Sequence, residues 1–280
     1  MELSIVIPIY RCSRNALFAL PEVMRALQQK FADYEIIFII DHGNIEPEVM
    51  ELYSLQKNYS QVKIHALNRN YGQHFATLCG YYLAKGDYIL SIDEDMTKYI
   101  PEICKSDEYK SFDVFFWFYN KNNMYTSVVR KVFSILFKAL IHRIVNFKKN
   151  STFRVISRTL RDKLLADKHI FWNIDVMIFN NTNAIGGYTL QDFDVKDDNS
   201  SYNYKSLINI AFEIAYEHNT IFMNLLLALF PALLVLLLTR NAAAASITYI
   251  ALVLLITAII NGIRKTTLST RQKIRHALAQ

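Results

Sequence analysis

The sequence predicts an α/β domain built on a mainly parallel β-sheet, followed by a membrane-embedded hairpin of two helices. Short apolar runs alternate with helical patterns through the first half of the 280-residue chain. This alternation is typical of parallel sheets covered by helices. Two long stretches near the C-terminus are almost entirely apolar. Between residues 221 and 263 the one charged residue is Arg240, whereas the preceding residues have the mixed composition of a soluble domain.

Five apolar runs are predicted to be strands, with helical patterns between the first four. The strands are residues 3–10, 35–41, 62–68, 87–93 and 113–119, and the helices end at Lys30 or span about residues 46–57 and 72–85. Continuous apolar runs are expected of strands that are buried on both faces. The chain has seven glycines and no GxGxxG pattern. A Rossmann or P-loop phosphate cradle is therefore excluded.

The predicted strands end in polar or aromatic residues. Ligands of parallel sheets bind beyond the carboxyl ends of the strands. Those ends carry Tyr10 after Pro8, then Asp41, then Arg69, and finally the triplet from Asp93 to Asp95. We expect these groups to line a single cleft.

Asp93 and Asp95 are the candidate metal ligands. Residues two apart lie on the same side of an extended segment, and two such carboxylates repel each other unless a cation lies near them. Oxygen ligands suit Mg²⁺ or Mn²⁺, which bind through one or two carboxylates together with substrate phosphates. A solvated acidic turn is the alternative interpretation.

Residues 221–239 and 242–263 are predicted to form a transmembrane hairpin. Each is long enough for a hydrocarbon core of ~30 Å, which about 20 helical residues cross. One bent span, or a buried helical hairpin of a soluble protein, are the alternatives. The segment 264–280 carries five Lys and Arg residues, against one Arg in the turn. The positive-inside rule therefore places the N-terminal domain and a basic tail (264–280) in the cytoplasm.

The region between the first domain and the hairpin contains two amphipathic stretches. Residues 125–149 place valine, leucine and isoleucine on one stripe, with Lys and Arg around it. A basic amphipathic helix suits the surface of a membrane, although a core helix with a solvated basic face has the same pattern. Residues 204–217 are a second candidate. We therefore divide the chain into a nucleotide-binding core (1–124), an acceptor-side region (125–220), the hairpin (221–263) and the tail.

Charge and cysteine content indicate the cellular compartment of the protein and the kinds of partner that it binds. The net charge of +6 is traceable to residues 125–149 and to the tail, so the sequence predicts membrane contact and no nucleic-acid partner. Cys12, Cys79 and Cys104 are far apart and form no CxxC motif, as expected of reduced thiols. The first residues lack the pattern of a signal peptide. We expect a protein of the inner membrane with its soluble part in the cytoplasm; whether it forms a homo-oligomer through the hairpin stays open.

Six short motifs occur in a characteristic order. They are Ile5-Val6-Ile7-Pro8-Ile9-Tyr10, Glu35-Ile36-Ile37-Phe38-Ile39-Ile40-Asp41, Leu67-Asn68-Arg69-Asn70-Tyr71-Gly72-Gln73, Gly86-Asp87 with Asp93-Glu94-Asp95, Pro101-Glu102, and Phe153-Arg154. Together with the apolar hairpin, this order resembles family 2 glycosyltransferases with a GT-A fold, and among them the polyprenyl-phosphate (dolichyl- or undecaprenyl-phosphate) glycosyltransferases.

The resemblance implies a role for each matched residue. Pro8, Tyr10 and Asp41 would hold the base and ribose of a nucleotide sugar, with Arg69 nearby. Asp93 would contact the nucleotide, and Asp95 would be the catalytic metal ligand. Arg130 and Arg154 would contribute further substrate contacts. The implied reaction is an inverting transfer of a sugar to undecaprenyl or dolichyl phosphate, with Mg²⁺ or Mn²⁺ as cofactor.

Several positions depart from the family pattern. His42 replaces an aspartate, Tyr119 replaces an arginine, and Thr152 stands where an acidic residue precedes Phe-Arg. A phosphate acceptor already carries about −1.5 to −2 charges at pH 7 and can attack without a general base, whereas a sugar hydroxyl needs one. Transfer to a lipid-diphosphate-linked glycan and an inactive homologue that scaffolds a membrane glycan complex are the alternative functions. His65 and His74 are expected to be packing or surface residues.

Overall fold

A computed structural model describes residues 1–10, 14–41, 47–118, 151–166, 173–190, 220–239, 241–266 and 269–278 of the chain. The strands are β1 (Leu3–Ile9), β2 (Tyr34–Ile40), β3 (Val62–Ala66), β4 (Tyr88–Ser91), β5 (Val114–Phe118), β6 (Arg154–Ser157) and β7 (Ile185–Thr189). The helices are α1 (Arg14–Lys30), α2 (Pro47–Asn58), α3 (Gln73–Leu83), α4 (Arg158–Ala166), α5 (Ile174–Asn181), α6 (Thr220–Thr239), α7 (Ala242–Thr266) and α8 (Thr270–Leu278). Two 3₁₀ segments, Glu94–Lys105 and Glu108–Ser111, follow β4.

The seven strands form one sheet in the order β3-β2-β1-β4-β6-β5-β7. The first four strands are parallel, as predicted. Beyond them the sheet is mixed, because β6 lies between β4 and β5 and is antiparallel to both. Strands β6 and β7 are missing from the strands that the sequence predicts.

The first four strands end one or two residues earlier than predicted. The predicted termini Tyr10, Asp41, Asn68 and Asp93 follow the strands rather than belonging to them. These residues are polar or aromatic, and they lie just beyond the carboxyl ends of the strands. Parallel sheets bind ligands at this position.

Two apolar cores cover the two faces of the sheet. Strand β1 shows the division: Ile5 and Ile7 belong to the core that includes α1, and Val6 belongs to the core that includes α3, α4 and α5. Helix α3 approaches β1 closely because Gly80 has no side chain. A Cβ atom at this position would overlap the Cγ1 atom of Val6.

Helices α6 and α7 contact each other; α6 ends at Thr239 and α7 begins at Ala242. The Oδ1 atom of Asn241 accepts a hydrogen bond of 3.1 Å from the amide of Ala244 and so caps the start of α7. Two adjacent helices therefore occupy the predicted hairpin segments. Among the described residues, Ala242–Ile259 is the stretch that is long and apolar enough to cross a membrane.

Helix α8 lies within the predicted basic tail and packs on the N-terminal domain. Its Ile274 and Ala277 are buried in the core formed with α3 and α4. Arg275 donates a hydrogen bond of 3.0 Å to the hydroxyl of Tyr82 on α3. The end of the chain thus returns to the domain after the two apolar helices.

Candidate functional site

Asp41, which follows β2, links the carboxyl end of β1 to the loop after β3. The amide of Asp41 donates a hydrogen bond of 2.8 Å to the carbonyl of Ile9 on β1. The Oδ1 atom of Asp41 accepts a hydrogen bond of 2.7 Å from the amide of Tyr71. Asp41 is 2% exposed. Its buried carboxylate therefore anchors the loop after β3 through the amide of Tyr71. Tyr10, the residue after β1, is 48% exposed.

Residues 68–72 form the loop that Asp41 anchors. The guanidinium carbon of Arg69 lies 4.7 Å from the ring centre of Tyr71, and the ring of Tyr71 stacks on Phe75 at 4.6 Å. Gly72 has a φ of +91°, a conformation that side chains disfavour. Asn70 accepts a hydrogen bond of 3.0 Å from the amide of this glycine. The Asn-Tyr-Gly turn thereby starts α3 and leaves Arg69 exposed beside an aromatic platform.

The relation between Asp93 and Asp95 differs from the prediction. Asp93 is extended (φ −70°, ψ 152°), but the chain enters a 3₁₀ helix at Glu94. The premise of one extended segment is therefore wrong, because Asp95 belongs to the first turn of this helix. Asp93 is half-buried and Asp95 is exposed. The two carboxylates enter the cleft region from a strand end and from a helix start.

Helix α3 contacts the end of β4 through two polar side chains. The Nε2 atom of Gln73 donates a hydrogen bond to the Oδ1 atom of Asp93. Eight residues further along α3, Tyr81 shares a hydrogen bond of 2.8 Å with the Oγ atom of Ser91. Ser91 and Asp93 are two residues apart and lie on the same side of the strand end. Helix α3 therefore positions both Ser91, the last residue of β4, and Asp93, two residues beyond it.

Arg154 lies beneath the cleft, not at its surface. It is 3% exposed and pairs directly opposite Ser91 in the β4–β6 register. Its Nη1 atom forms an ion pair with the Oδ1 atom of Asp175 on α5, and its Nε atom lies 3.4 Å from the Oγ atom of Ser91. The substrate contact of Arg154 stays a prediction, and in this structure its guanidinium pairs with Asp175.

Charges around this pair shift two pKa values. Burial lowers the pKa of Arg154, but the carboxylates of Asp175 and Asp93 and the Tyr81 hydroxyl outweigh burial and raise it. The guanidinium thus stays charged. Burial lowers the pKa of His74; Asp175 opposes this shift and Arg154 adds to it. His74 is therefore a neutral, half-buried imidazole at pH 7, in agreement with its predicted packing role.

Asp175 and its supports are the part of the site that the sequence analysis missed. Asn173 caps α5: its Oδ1 atom accepts hydrogen bonds of 3.1 and 3.2 Å from the amides of Asp175 and Val176. The signal available in the sequence is an asparagine followed two residues later by an aspartate, at the start of an apolar run. That signal predicts the start of a helix. It does not predict that Asp175 lies beside Arg154.

The donor set at the cleft suits a divalent cation that a substrate helps to hold. No group of three or more His, Cys, Asp or Glu side chains that could hold a metal occurs within the described residues. Asp93 and Asp95 would offer oxygen ligands alone, which fits Mg²⁺ or Mn²⁺ bound through one or two carboxylates and substrate phosphates. A structural zinc site would need more protein ligands than this part of the cleft provides.

Several predicted features lie outside the described residues. These are Cys12, His42, Tyr119, Arg130, the amphipathic stretches 125–149 and 204–217, and the predicted domain boundary at 124. Of the predicted site residues, the structure therefore places Pro8, Tyr10, Asp41, Arg69, Asp93, Asp95 and Arg154. Pro8 is buried within β1.

Comparison with known proteins shows which family the first part of the chain resembles. Residues 4–102, which contain nearly all of β1 and the whole of β2 to β4, match the sequence model of Glycosyl transferase family 2. This part of the chain is therefore similar to family 2 glycosyltransferases. The first five of the six motifs lie inside this match, so the predicted resemblance is confirmed there.

Several curated proteins are similar to this chain, and they share one name. The chain is 33% identical to an undecaprenyl-phosphate 4-deoxy-4-formamido-L-arabinose transferase of Klebsiella pneumoniae over 51% of this chain and 43% of that protein. It is 28% identical to a protein of the same name from Pseudomonas fluorescens over 75% of this chain and 63% of that protein. The chain thus spans about half the length of the curated relatives it matches.

A solved structure supports the fold. Mannosyl-3-phosphoglycerate synthase from Rubrobacter xylanophilus superimposes with a TM-score of 0.53, at 13% identity, over 78% of this chain and 72% of that one. The domain therefore has the GT-A fold, with a mixed, mostly parallel sheet, as the resemblance implies.

Proposed function

We propose that the chain transfers a sugar from a nucleotide sugar to a polyprenyl phosphate, with inversion at the anomeric carbon, on the cytoplasmic face of the inner membrane. The observation that carries this proposal is the match to the family 2 model in a chain whose curated relatives are undecaprenyl-phosphate sugar transferases. The cleft and the apolar helices supply the two further requirements, a donor site and a lipid-side location.

The donor side of the reaction is assigned to the ends of β1 to β4. The exposed ring of Tyr10 offers a flat surface to a base, while the anchored loop presents Arg69 at the same edge of the sheet. Asp93 and Asp95 would hold Mg²⁺ or Mn²⁺ against the diphosphate. A bound cation would neutralise the charge that develops on the departing nucleoside diphosphate.

The acceptor side needs no general base. A phosphate oxygen of the lipid attacks the anomeric carbon, a carbon–oxygen bond forms, and the bond to the nucleoside diphosphate breaks with its electron pair. The β4–β6 register ends at the Ser91–Arg154 pair, and extending it by two residues would bring Thr152 opposite Asp93. This position carries a hydroxyl where the family pattern has a carboxylate. The lipid phosphate is already anionic, so the substitution is compatible with a phosphate acceptor.

The membrane location is supported by two observations. Leucine and isoleucine side chains of α6 and α7 face outward, among them Leu233, Leu238, Ile247 and Leu254, as expected of helices whose solvent is lipid. Helix α8 follows α7 after three residues and packs on the domain. This contact favours two crossings, because the domain and α8 must then lie on one side of the membrane.

The activity is tested with the full chain purified in lipid nanodiscs, Mn²⁺ or Mg²⁺, undecaprenyl phosphate and a panel of UDP-, GDP- and dTDP-sugars. A lipid monophosphate that carries one sugar, with inverted anomeric configuration, is the expected product. Product formed from a glycan linked to lipid diphosphate, and from no lipid monophosphate, would assign the chain to polysaccharide assembly instead. Failure of every nucleotide sugar to bind would support a non-catalytic homologue.

The orientation is tested by cysteine labelling of the full chain in intact cells with a membrane-impermeant maleimide. Ala242→Cys, at the exposed first residue of α7, should be labelled from outside. His276→Cys, on an exposed position of α8, should be labelled after lysis alone. The unaltered chain measures the background from its native cysteines. Labelling of both variants, or of neither, in intact cells contradicts the two-span orientation.

A further inference from the structure

Helix α8 begins at a capping box and is therefore a helix of its own, not an extension of α7. The amide of Ser269 donates a hydrogen bond of 2.9 Å to the Oε1 atom of Gln272. In return, the amide of Gln272 donates a hydrogen bond of 3.4 Å to the Oγ atom of Ser269. Reciprocal bonds of this kind satisfy the free amides at the start of a helix. Helix α7 ends at Thr266, three residues before α8.

Helix α8 is fixed to the N-terminal domain on one side. The side chain of Ile274 is fully buried in the core formed with α3 and α4. Arg275 donates its hydrogen bond of 3.0 Å to the Tyr82 hydroxyl on α3. The Nη2 atom of Arg271 lies 3.5 Å from the Oδ1 atom of Asp162 on α4. Helices α4 and α8 therefore form one continuous part of the domain surface.

The connection to α7 limits how far this surface lies from the apolar helices. The four steps from Thr266 to Thr270 span at most about 14 Å when fully extended. Helix α8 has nine residues and is therefore ~14 Å long. If α7 crosses the membrane, as the proposed function has it, the surface formed by α4 and α8 lies within reach of the lipid headgroups.

This surface is basic. Arg158 pairs with Asp87 at 3.2 Å. Asp162 is shared by Arg161 at 2.9 Å and by Arg271 at 3.5 Å. Two carboxylates therefore compensate three guanidinium groups, and further cations lie beside them. The exposed cations of the α4–α8 surface are Arg158 and Lys163 on α4, and Arg271 and Arg275 on α8.

Two arginines of α4 are used by the domain itself. The Nη1 atom of Arg161 donates a hydrogen bond of 2.7 Å to the carbonyl of Ala84, and the Nε atom of Arg158 donates one of 3.3 Å to the carbonyl of Gly86. These carbonyls follow the last residue of α3, where the helix dipole favours a positive charge. Lys163 and Arg271 lie further out, and the side chain of Arg271 is 48% exposed. These two are therefore the cations best placed for an outside partner.

We infer that the α4–α8 surface binds the anionic headgroups of the cytoplasmic leaflet and thereby holds the N-terminal domain in one orientation on the membrane. The cytoplasmic leaflet carries anionic lipids that attract Lys and Arg side chains close to it. The charge of the surface and its short connection to α7 both fit this partner. The inference rests on the membrane location in the proposed function, since a chain outside the membrane would not bring α8 to the headgroups.

The test measures how fast a neutral polyethylene-glycol maleimide labels a reporter cysteine in the full chain. Thr159→Cys places the reporter at an exposed position one turn before Lys163. The chain is inserted into nanodiscs of phosphatidylcholine, or of phosphatidylcholine mixed with phosphatidylglycerol. Each cation close to an anionic surface favours the bound state about fivefold. Labelling should therefore be at least about fivefold slower with phosphatidylglycerol.

Gln56→Cys is the matched control reporter. Gln56 is exposed on α2, and its neighbour Leu55 packs against the core on the opposite face of the sheet. This reporter should be labelled at the same rate in both lipids. The unaltered chain measures the background from the native cysteines.

Removal of charge tests whether the protection is electrostatic. Lys163→Gln with Arg271→Gln, added to the Thr159→Cys chain, should restore the phosphatidylcholine rate in phosphatidylglycerol nanodiscs. Lys163→Gln alone leaves the Arg271 ion pair in place and should restore part of the rate. Arg25→Gln with Lys57→Gln removes the same charge from exposed positions on α1 and α2 and should leave labelling slow.

Three results overturn the inference. The first is an equal, fast rate at Thr159→Cys in both lipids. The second is slow labelling in both lipids, which would indicate that protein, such as a second copy of the chain, covers the surface. The third is labelling that stays slow with phosphatidylglycerol after both charges are removed.

Carbonate extraction of the unaltered chain from membranes separates this inference from the proposed function. Release of the chain into the soluble fraction shows that the membrane location is wrong, and the inference falls with it. A chain that stays in the membrane, with a reporter that is labelled equally in the two lipids, overturns the inference alone.

Discussion

The Oδ1 atom of Asp41 accepts a hydrogen bond of 2.7 Å from the amide of Tyr71, 30 residues further along the chain. This bond ties the end of β2 to the loop after β3, and thereby sets where Arg69 and the Tyr71 ring lie. Asp41 is almost completely buried. Its carboxylate therefore shapes the donor cleft from below, whichever further contacts it makes with a nucleotide.

Asp41→Ala should weaken nucleotide binding by about tenfold or more, because a hydrogen bond to a charged group contributes about 1.5–3 kcal/mol. The loop of residues 68–72 loses its anchor in this variant. Isothermal titration with UDP and with GDP measures the effect. Asp33→Ala, at an exposed aspartate that pairs with the N-terminal amine, is the control and should bind like the unaltered chain. Equal binding by both variants would contradict the anchoring role.

Asp95→Asn should abolish metal-dependent turnover and leave membrane insertion intact, because the change removes one ligand charge from an exposed side chain. Turnover is measured as nucleoside diphosphate released with undecaprenyl phosphate present, and insertion by carbonate extraction. Asp107→Asn changes another exposed aspartate nearby, one that pairs with Lys30 at 3.0 Å, and should keep full turnover. Undiminished turnover in Asp95→Asn would remove Asp95 from the metal site.

Gly80→Ala should destabilise the domain by about 1–3 kcal/mol, the usual cost of an overpacked core. The added methyl group would overlap the Cγ1 atom of Val6 and push α3 away from β1. Val6→Ala in the same chain removes the obstructing atoms and should recover part of the loss. Thermal unfolding of the two single variants and the double variant measures their coupling. Strictly additive losses would show that the two residues do not meet.

Glu35 should make stability depend on pH below about 4.5. Burial raises the pKa of this carboxyl, but the Lys63 ammonium, the Ser4 hydroxyl and the amide of Lys85 outweigh burial and lower it below its ordinary value of 4.5. The ionised form therefore stabilises the fold fully above pH 4.5. This contribution disappears as the pH falls through the lower folded-state pKa.

Glu35→Gln is the variant that tests this dependence. It should melt at a lower temperature than the unaltered chain at pH 7, and the difference should narrow as the pH approaches 3. Glu102→Gln changes the partner of an exposed lysine, Lys105, and should leave the melting temperature unchanged at pH 7. A difference between the Glu35 variant and the unaltered chain that stays constant from pH 7 to 3 would contradict the pKa assignment.

Local patterns in the sequence determine much of the fold. Buried strands read as continuous apolar runs, and β1, β2 and β3 lie where these runs predict them. The two apolar helices follow from composition and length in the same way. The residues at the strand ends could be identified as a cleft because parallel strands deliver their carboxyl ends to one edge. These predictions depend on contacts within a few residues or on a general property of parallel sheets.

What the tertiary structure alone decided are relations between distant segments. The insertion of β6 between β4 and β5 brings Arg154 opposite Ser91, 63 residues away, and only then does Asp175 become its partner. The return of α8 to α3 likewise depends on the packing of Ile274. The spacing of residues along the chain does not predict such pairs. Two buried charges become neighbours only when the core that holds both of them has formed. The sequence by itself therefore determined strands β1 to β5 and the sheet edge at which the first four end, and the packing decided which charges meet beneath that edge.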